Sequence, residues 1–209
     1  APESGGAAEV EALTEAVQRQ LSEATEALDV SDETAETLAA ALDDLDAAVA
    51  GAAASQYRNS GQTCICANRI LVQDGVYDEF VEKLTELVGS FQLGDGMDAV
   101  TTHGPLVNET AVADVDAMVK DALDKGASAP IGGQPSELGA NYYELTVLTN
   151  VDDSMRVFNE EIFGPVATIA PFEDEDEAVT LANCTRYGLA SALWSRDVDL
   201  CHRVAGKLQ

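Results

Sequence analysis

The first quarter of the chain has its hydrophobic positions at helical spacing. Over residues 7–29, apolar side chains recur three or four positions apart along most of the stretch, with charged and small residues between them: Val10, Leu13, Val17, Leu21 and Leu28. This spacing is typical of an amphipathic helix. Ser31, followed by acidic residues, is a good N-cap and predicts a second helix that runs toward Ala54. We therefore predict that residues 1–42 form an acidic helical segment.

From Asn68 onward, short apolar runs alternate with amphipathic stretches. The runs that predict strands are "RILVQ", "ASAPIGG", "YYELTVL", "PVATIAPF" and "LASALWS". The stretches that predict helices are "VYDEFVEKLTELVGSF", "ETAVADVDAMVKDALDKG" with Gly126 as its C-cap, "EDEDEAVTLANC" and "DVDLCHRVAGKL". Strands and helices in such alternation indicate an α/β fold with a mainly parallel sheet and helices on both faces.

Charge is the outlier of the composition. The 209 residues include 38 Asp and Glu against 11 Lys and Arg, which gives a formal net charge of -27 at pH 7. Nucleic acids and membrane surfaces are themselves negative, so we expect neither as a partner. An excess of carboxylates keeps a protein soluble in concentrated salt, and it indicates a halophilic protein. A mesophilic protein with an acidic face is the alternative that the charge leaves open.

The sequence also bears on the compartment. Its apolar runs are all shorter than the roughly 18 residues that indicate a membrane helix. The first ten residues, "APESGGAAEV", have neither the basic end nor the apolar stretch of a secretory signal. We therefore expect a cytoplasmic protein.

Two cysteines, Cys64 and Cys66, lie one residue apart in the polar stretch "YRNSGQTCICANR". A zinc site needs about four ligands, and the isolated His103 and His202 do not complete one. A structural disulfide between the two cysteines would close a small, strained ring. The turn-forming "NSGQT" favours an exposed loop, where backbone N–H groups can stabilise a thiolate and an oxyanion. On the residues alone, a nucleophile, a reversible redox pair and two structural thiols stay open.

Three stretches of the sequence follow one another in a specific order. They are "RNSGQTCICANR", then "GANYYELTVLTNV" with "NEEIFGPVATIAPF", and then "ANCTRYGLASALWSRD". They resemble the catalytic loop, the cofactor-facing segment and the following strand and helix of the aldehyde dehydrogenase superfamily, in particular its succinate-semialdehyde dehydrogenase branch. Three ordered motifs are far more specific than one short pattern. The resemblance covers residues 43–209 and implies the fold of that family's catalytic domain.

The resemblance implies a reaction at Cys64. The family has its nucleophile at this position, where it adds to an aldehyde carbonyl to form a thiohemiacetal. Oxidation by NAD or NADP leaves a thioester, which water hydrolyses to the acid. The backbone N–H of Cys64 would form part of the oxyanion hole. Cys66 corresponds to a companion cysteine that can form a reversible disulfide with the nucleophile.

Three further positions are implied to bind the cofactor and the substrate. Glu161 and Phe163, in "EEIFGP", correspond to residues that hold the nicotinamide ribose and pack beside the nicotinamide ring. Without the resemblance, Glu160 and Glu161 indicate a solvated helix start. Arg58 corresponds to an arginine that binds the substrate carboxylate through two hydrogen bonds, and its alternative is a surface ion pair.

The resemblance also predicts how the chain is divided. We expect residues 1–42 to lack a family match and residues 43–209 to be a catalytic domain truncated at its C-terminal end. The nucleotide-binding domain and the general base of the family have no counterpart in the sequence. Beside a small-molecule aldehyde, a homo-oligomer and a second chain that supplies the nucleotide-binding domain are the partners left open.

Three functions follow from these features. The first is NAD(P)-dependent oxidation of an aldehyde, with succinate semialdehyde as the expected substrate. A cofactor-independent thiol esterase that uses Cys64 is the second, and a non-catalytic remnant or assembly partner is the third. They differ in whether Cys64 reacts and whether it needs a nicotinamide.

Overall fold

The computed structural model describes residues 45–209, which form alternating helices and strands. Helix α1 covers 45–56, and it is followed by β1 (Ile70–Gln73), α2 (Tyr77–Gly89), α3 (Glu109–Asp124), β2 (Ser128–Ile131), β3 (Thr146–Thr149), α4 (Arg156–Asn159), β4 (Val166–Phe172), α5 (Glu175–Asn183) and α6 (Val198–Ala205). No helix in this range is both long and apolar enough to cross a membrane. The chain divides into two units, Ala1–Asp46 and Ala47–Gln209, and the second contains the sheet. The helices predicted within residues 1–42 lie outside the described residues.

The four strands form one sheet in the order β1-β4-β3-β2. β4 pairs in parallel with β1, where Ile70 lies opposite Ile169, and with β3, where Val147 lies opposite Ala167. β2 runs antiparallel to β3. β3 is buried along its whole length and β4 over its first five residues, as expected for central strands covered on both faces. The prediction of a mainly parallel sheet is confirmed.

Helices cover both faces of this sheet. On one face, α3 contributes Val119 to a buried cluster that includes Leu148 and Val166. Neighbouring strand residues such as Val147 point to the opposite face, because side chains alternate along a strand. There α2 contacts β1, β2 and β3, and it buries Phe80, Leu84 and Val88. The apolar runs therefore supply both layers of the core.

Helix ends follow the signals in the sequence. Asn108 begins α3, where its side chain accepts a hydrogen bond of 2.9 Å from the N–H of Ala111. Asp174 begins α5 in the same way, at 3.0 Å from the N–H of Glu177. Such caps satisfy N–H groups that lack a partner within the helix. Gly126, the predicted C-cap, has φ +107° just beyond α3, a conformation that favours glycine.

One predicted strand is absent. The stretch "LASALWS" (189–195) pairs with none of the strands in the described part of the chain. Its large side chains are exposed, Leu189 at 68% and Trp194 at 56% of full accessibility. A strand is stabilised by contacts with a neighbouring strand, and this run has none. The prediction of a strand here is wrong, whereas the helix predicted after it is confirmed as α6.

Candidate active site

Cys64 lies on an exposed turn between α1 and β1. The N–H of Cys66 donates to the carbonyl oxygen of Thr63 at 2.9 Å, which closes a four-residue turn with Cys64 at its second position. The Cys64 side chain is exposed, and every cysteine of the chain is a free thiol. A small electrophile can therefore approach the Cys64 sulfur from solvent.

The residues just before this turn have a left-handed backbone. Asn59, Ser60 and Gly61 have φ values of 51°, 56° and 75°, a region that asparagine and glycine tolerate best. A Cβ atom at Gly61 would lie 1.9 Å from the carbonyl oxygen of Gly164, so the two backbones are in close contact. This left-handed turn brings the cysteine loop, residues 58–68, against the segment that contains "EEIFGP".

Two polar side chains hold the cysteine loop to residues 104–107. Ser60 Oγ donates to the carbonyl oxygen of Gly104 at 2.9 Å. Gln62 Oε1 accepts from the N–H of Val107 at 2.8 Å, and its Nε2 donates to the carbonyl oxygen of Pro105 at 3.3 Å. These bonds fix the loop to a second segment of the chain.

The end of α1 supports the cysteine loop from the protein interior. Gln56 Nε2 donates to the carbonyl oxygens of Gly164 at 3.2 Å and Val166 at 2.8 Å. The Tyr57 hydroxyl donates to the carbonyl oxygen of Thr146 at 2.6 Å, and both side chains are buried. Burial raises the pKa of Tyr57, so the hydroxyl stays protonated and remains a donor.

Asn68 connects the cysteine loop to the residues around Glu161. Its Nδ2 donates to the carbonyl oxygens of Val157 at 3.1 Å and Glu160 at 3.0 Å. Its Oδ1 accepts from the N–H of Ile162 at 2.9 Å. One side chain thus binds both peptide groups that flank Glu161.

The adjacent glutamates have different environments, and both follow the end of α4 rather than begin a helix. Glu160 forms two hydrogen bonds of 2.9 Å with the Arg156 guanidinium, and these lower the pKa of Glu160. Glu161 is exposed, and no residue of the described range 45–209 bonds to its carboxylate. Glu160 is therefore committed to Arg156, whereas Glu161 is available to a ligand.

Phe163 has a backbone conformation that is rare for a large side chain. Its φ is 54°, and the residue is 45% exposed. Strained backbone of this kind is kept where the surrounding structure holds it, often at binding sites. Phe163 and Glu161 line an open pocket of about 410 Å³, together with Ala111, Asp114, Met118, Arg156 and Ile162.

Arg58 lies at the start of the cysteine loop. Its side chain is exposed, and no carboxylate of residues 45–209 forms an ion pair with it. Its carbonyl oxygen accepts the S–H of Cys66 at 3.7 Å. Burial raises the pKa of Cys66, while hydrogen bonds with Thr63 and the charge of Arg58 act in the opposite direction. The surface ion pair considered for Arg58 is therefore not formed in the described part of the chain.

His103 is packed among aromatic rings. Its ring centroid lies 4.6 Å from that of Phe91 and 6.2 Å from that of Tyr57, and its Nδ1 lies 2.8 Å from Thr102 Oγ1. Burial lowers the pKa of His103, which favours the neutral imidazole. Across residues 45–209, no three His, Cys, Asp or Glu side chains are arranged to hold a metal ion.

The structure brings the two predicted groups of site residues onto adjoining segments. Arg58, Cys64 and Cys66 share the cysteine loop, and Glu161 and Phe163 share the segment bound to it. The side chains that join these segments, Gln56 and Asn68, were not identified from the sequence. The sequence shows only that Gln56 is a polar residue at the end of a helix and that Asn68 directly precedes a predicted strand. Neither signal indicates a partner about 100 residues away.

Comparison with known proteins shows which protein family this chain matches. Residues 13–209 match the aldehyde dehydrogenase family, a range that begins before residue 43. The chain is 50% identical over 166 residues to the 3-sulfolactaldehyde dehydrogenase of Pseudomonas putida and 48% identical to the NADP(+) succinate-semialdehyde dehydrogenase of Escherichia coli strain K12. Each alignment covers 79% of this chain and 34% of the relative, so the chain spans about a third of their length.

Solved structures agree with these matches. The succinate-semialdehyde dehydrogenase of Burkholderia pseudomallei superposes with a TM-score of 0.78 at 50% identity. The betaine aldehyde dehydrogenase of Staphylococcus aureus, solved in complex with NAD+, gives 0.76 at 40% identity. Both cover 79% of this chain and 34% of the other. The α/β fold is thus that of aldehyde dehydrogenases, and the chain belongs to the aldehyde dehydrogenase family.

Proposed function

We propose that this chain carries the nucleophile, the substrate-binding arginine and part of the cofactor site of an NAD(P)-dependent dehydrogenase. The proposed substrate is an aldehyde with a terminal acid group, foremost succinate semialdehyde. One observation carries the proposal: the loop with the exposed Cys64 is bonded directly to the segment with Glu161 and Phe163. The relatives named for succinate semialdehyde and 3-sulfolactaldehyde support an anionic substrate.

Cys64 is the group that acts on the aldehyde. Its thiolate adds to the carbonyl carbon, and the carbonyl oxygen takes up a proton to complete a thiohemiacetal. The backbone N–H of Cys64 donates to that oxygen while it carries negative charge. After the carbon is oxidised, a thioester remains on Cys64, and water releases the carboxylic acid and restores the thiol.

Glu161 and Phe163 have the chemistry to bind the nicotinamide end of the cofactor. The exposed carboxylate of Glu161 has no partner in the described residues and can accept hydrogen bonds from two ribose hydroxyls. The exposed ring of Phe163 offers a flat apolar surface beside the same pocket. Bound NAD(P)+ would supply the two-electron acceptor for the oxidation.

Arg58 would select the substrate. Its guanidinium presents a planar set of donors that matches a carboxylate, and no carboxylate of residues 45–209 competes for it. A terminal carboxylate held there would place the aldehyde end toward Cys64 on the same loop. The chain spans about a third of its relatives, and we propose that turnover also needs a nucleotide-binding domain, from another chain or a longer form of this protein.

Nucleotide reduction by the chain, with the nucleotide-binding domain of a relative added as a separate protein, tests the role of Cys64. We expect reduced nicotinamide to form from succinate semialdehyde and NAD(P)+, with a higher kcat/KM than for butanal, which lacks the acid group. Cys64→Ser should lower the rate at least about a thousandfold, because the hydroxyl is a much weaker nucleophile. The matched control is Cys184→Ser, at another exposed cysteine, and it should leave the rate unchanged.

A second measurement does not depend on the cofactor. Cys64 should react with iodoacetamide faster than Cys184, as read by mass spectrometry of the labelled peptides. Equal alkylation rates, or turnover that survives in Cys64→Ser, would contradict the proposed nucleophile. Release of nitrophenol from a chromogenic ester without any nucleotide would instead support the thiol esterase.

A further inference from the structure

We infer that Asn68 is a positioning residue: its carboxamide holds Glu161 and Phe163 in the orientation that binds the nicotinamide end of the cofactor. The inference rests on the proposed function for the roles of Glu161 and Phe163. Its geometric part rests on the hydrogen bonds of Asn68 alone.

The carboxamide pairs with the chain around Glu161 as a neighbouring strand would. It donates to the carbonyl oxygen of Glu160 at 3.0 Å and accepts from the N–H of Ile162 at 2.9 Å. In a parallel sheet, one residue of a strand likewise bonds to the C=O and N–H groups on either side of its partner. Both peptide planes next to Glu161 are therefore fixed, and so is the direction in which its side chain leaves the backbone.

The position of Asn68 is itself well defined. Its carbonyl oxygen accepts from Thr168 Oγ1 at 2.6 Å, and Thr168 is buried in β4. The neighbouring Arg69 donates to the carbonyl oxygens of Leu181 at 2.9 Å and Ala182 at 3.0 Å. Asn68 is thus anchored to the sheet, and the segment it binds takes its position from the sheet.

The same segment contains a strained residue that needs support. Phe163 has φ 54°, and such backbone persists only where the structure around it compensates for the cost. The hydrogen bond from the N–H of Ile162 to Asn68 Oδ1 holds the backbone at the residue directly before Phe163. Losing it would let this stretch relax toward a commoner conformation, and the ring of Phe163 would turn with it.

A carboxamide suits this position because it combines a donor and an acceptor in one plane. Aspartate has the same shape but lacks the donor, and its charge would face the carbonyl oxygens of Val157 and Glu160. Alanine removes both groups. Asn68→Asp and Asn68→Ala therefore remove the interaction in two different ways.

Asn159 provides a matched control. Its Nδ2 donates to the carbonyl oxygens of Asp153 at 2.7 Å and Met155 at 2.9 Å, so it is also an asparagine that bonds to backbone near α4. Its carboxamide has no hydrogen bond to residues 160–163. Asn159→Ala should disturb α4 without releasing Glu161.

Hydrogen exchange of the Ile162 amide is the first measurement, made by NMR on the full chain. We expect exchange about tenfold faster or more in Asn68→Ala and little change in Asn159→Ala. A similar acceleration throughout β4 would show general loosening of the domain and would overturn the inference. Unchanged exchange at Ile162 would overturn it as well.

Nucleotide kinetics, with the nucleotide-binding domain supplied to every variant, are the second measurement. Both Asn68 variants should raise the KM for NAD(P)+ about tenfold, the effect of one lost binding contact, with a smaller effect on kcat. The alkylation rate of Cys64 should stay as in the wild type, because the other anchors of the loop remain. An unchanged nucleotide KM, or an equal effect in Asn159→Ala, would contradict the inference.

The two proposals fail in different ways. If the wild-type chain reduces no nucleotide even with a nucleotide-binding domain supplied, the proposed function fails. Asn68 is then judged by Ile162 exchange alone, because that measurement needs no cofactor. If the wild type is active and the Asn68 variants match it, the proposed function holds and the inference is wrong.

Discussion

The cysteine loop (58–68) and the apolar segment (187–196) have structures opposite to what their compositions suggest. The cysteine loop is polar, yet Ser60 and Gly61 are buried and its bonds reach Gly104 and Ile162. The apolar segment contains Leu189, Leu193 and Trp194, yet these side chains are exposed. In this segment, the hydrogen bonds described for Tyr187 and Ser195 are local, because each joins residues at most six positions apart.

This difference shows that the partners a region meets, rather than its polarity, decide whether its residues are buried. Polar groups in the cysteine loop meet backbone carbonyl and N–H groups of distant segments, so they can be buried without an energetic penalty. The apolar segment has no neighbouring strand among residues 45–209 to complete its backbone bonds. Matched substitutions in the two regions can test this contrast.

Glycine substitutions should give the largest difference. Gly61→Ala would place a Cβ 1.9 Å from the carbonyl oxygen of Gly164, at a residue with φ +75°. We expect the free energy of unfolding to fall by about 2 to 4 kcal/mol, the sum of a left-handed alanine and a steric clash. Urea denaturation measures this change.

Gly188→Ala is the control in the apolar segment. Its Cβ would lie 3.5 Å from the nearest atom, the carbonyl oxygen of Gln209, which is ordinary contact. We expect a change within about 0.5 kcal/mol. Equal losses at Gly61 and Gly188 would contradict the contrast between the two regions.

Removing a tyrosine hydroxyl should give a smaller difference. Tyr57→Phe leaves the buried carbonyl oxygen of Thr146 without its 2.6 Å donor, and we expect a loss of about 1 to 2 kcal/mol. The Tyr187 hydroxyl accepts from Arg186 in solvent, so Tyr187→Phe should be nearly neutral. Thermal and urea unfolding of both variants measure this difference, and a neutral Tyr57→Phe would argue that the end of α1 does not support the cysteine loop.

The smallest effect concerns the ion pairs that join α5 to α6 and to Lys207 just after it. Hydrogen bonds from Arg203 and Lys207 lower the pKa of Glu175 from 4.5 to about 2. Because the pKa is lower in the folded state, this stabilisation is present above about pH 4.5 and is lost as the pH falls toward 2.

Glu175→Gln should therefore reduce the loss of stability between about pH 4.5 and 2, measured as the melting temperature at each pH. Glu86→Gln, at an exposed glutamate of α2, is the control and should leave the pH profile as in the wild type. Profiles that are identical for wild type and Glu175→Gln would show that the ion pairs do not stabilise the contact between α5 and α6.

Much of the fold could be predicted because local patterns act through local physics. The β-branched runs around Val147 and Ile169 and the caps at Asn108 and Asp174 determine elements within a few residues of themselves. The failed strand at 189–195 shows the limit of this reasoning, because strand formation needs a partner that a pattern cannot supply. Family resemblance located Cys64, Glu161 and Phe163, while their roles stay predictions for the experiments above.

By itself, the sequence determined helices α2, α3, α5 and α6, the central strands and the exposed position of Cys64. Tertiary structure alone decided which side chains join the site: Asn68 and Gln56 bind backbone groups about 100 residues away. It also distinguished Glu160, paired with Arg156, from Glu161, which has no partner in the described residues. The physical reason is that a hydrogen bond depends on where two groups meet in space, and chain folding sets that position.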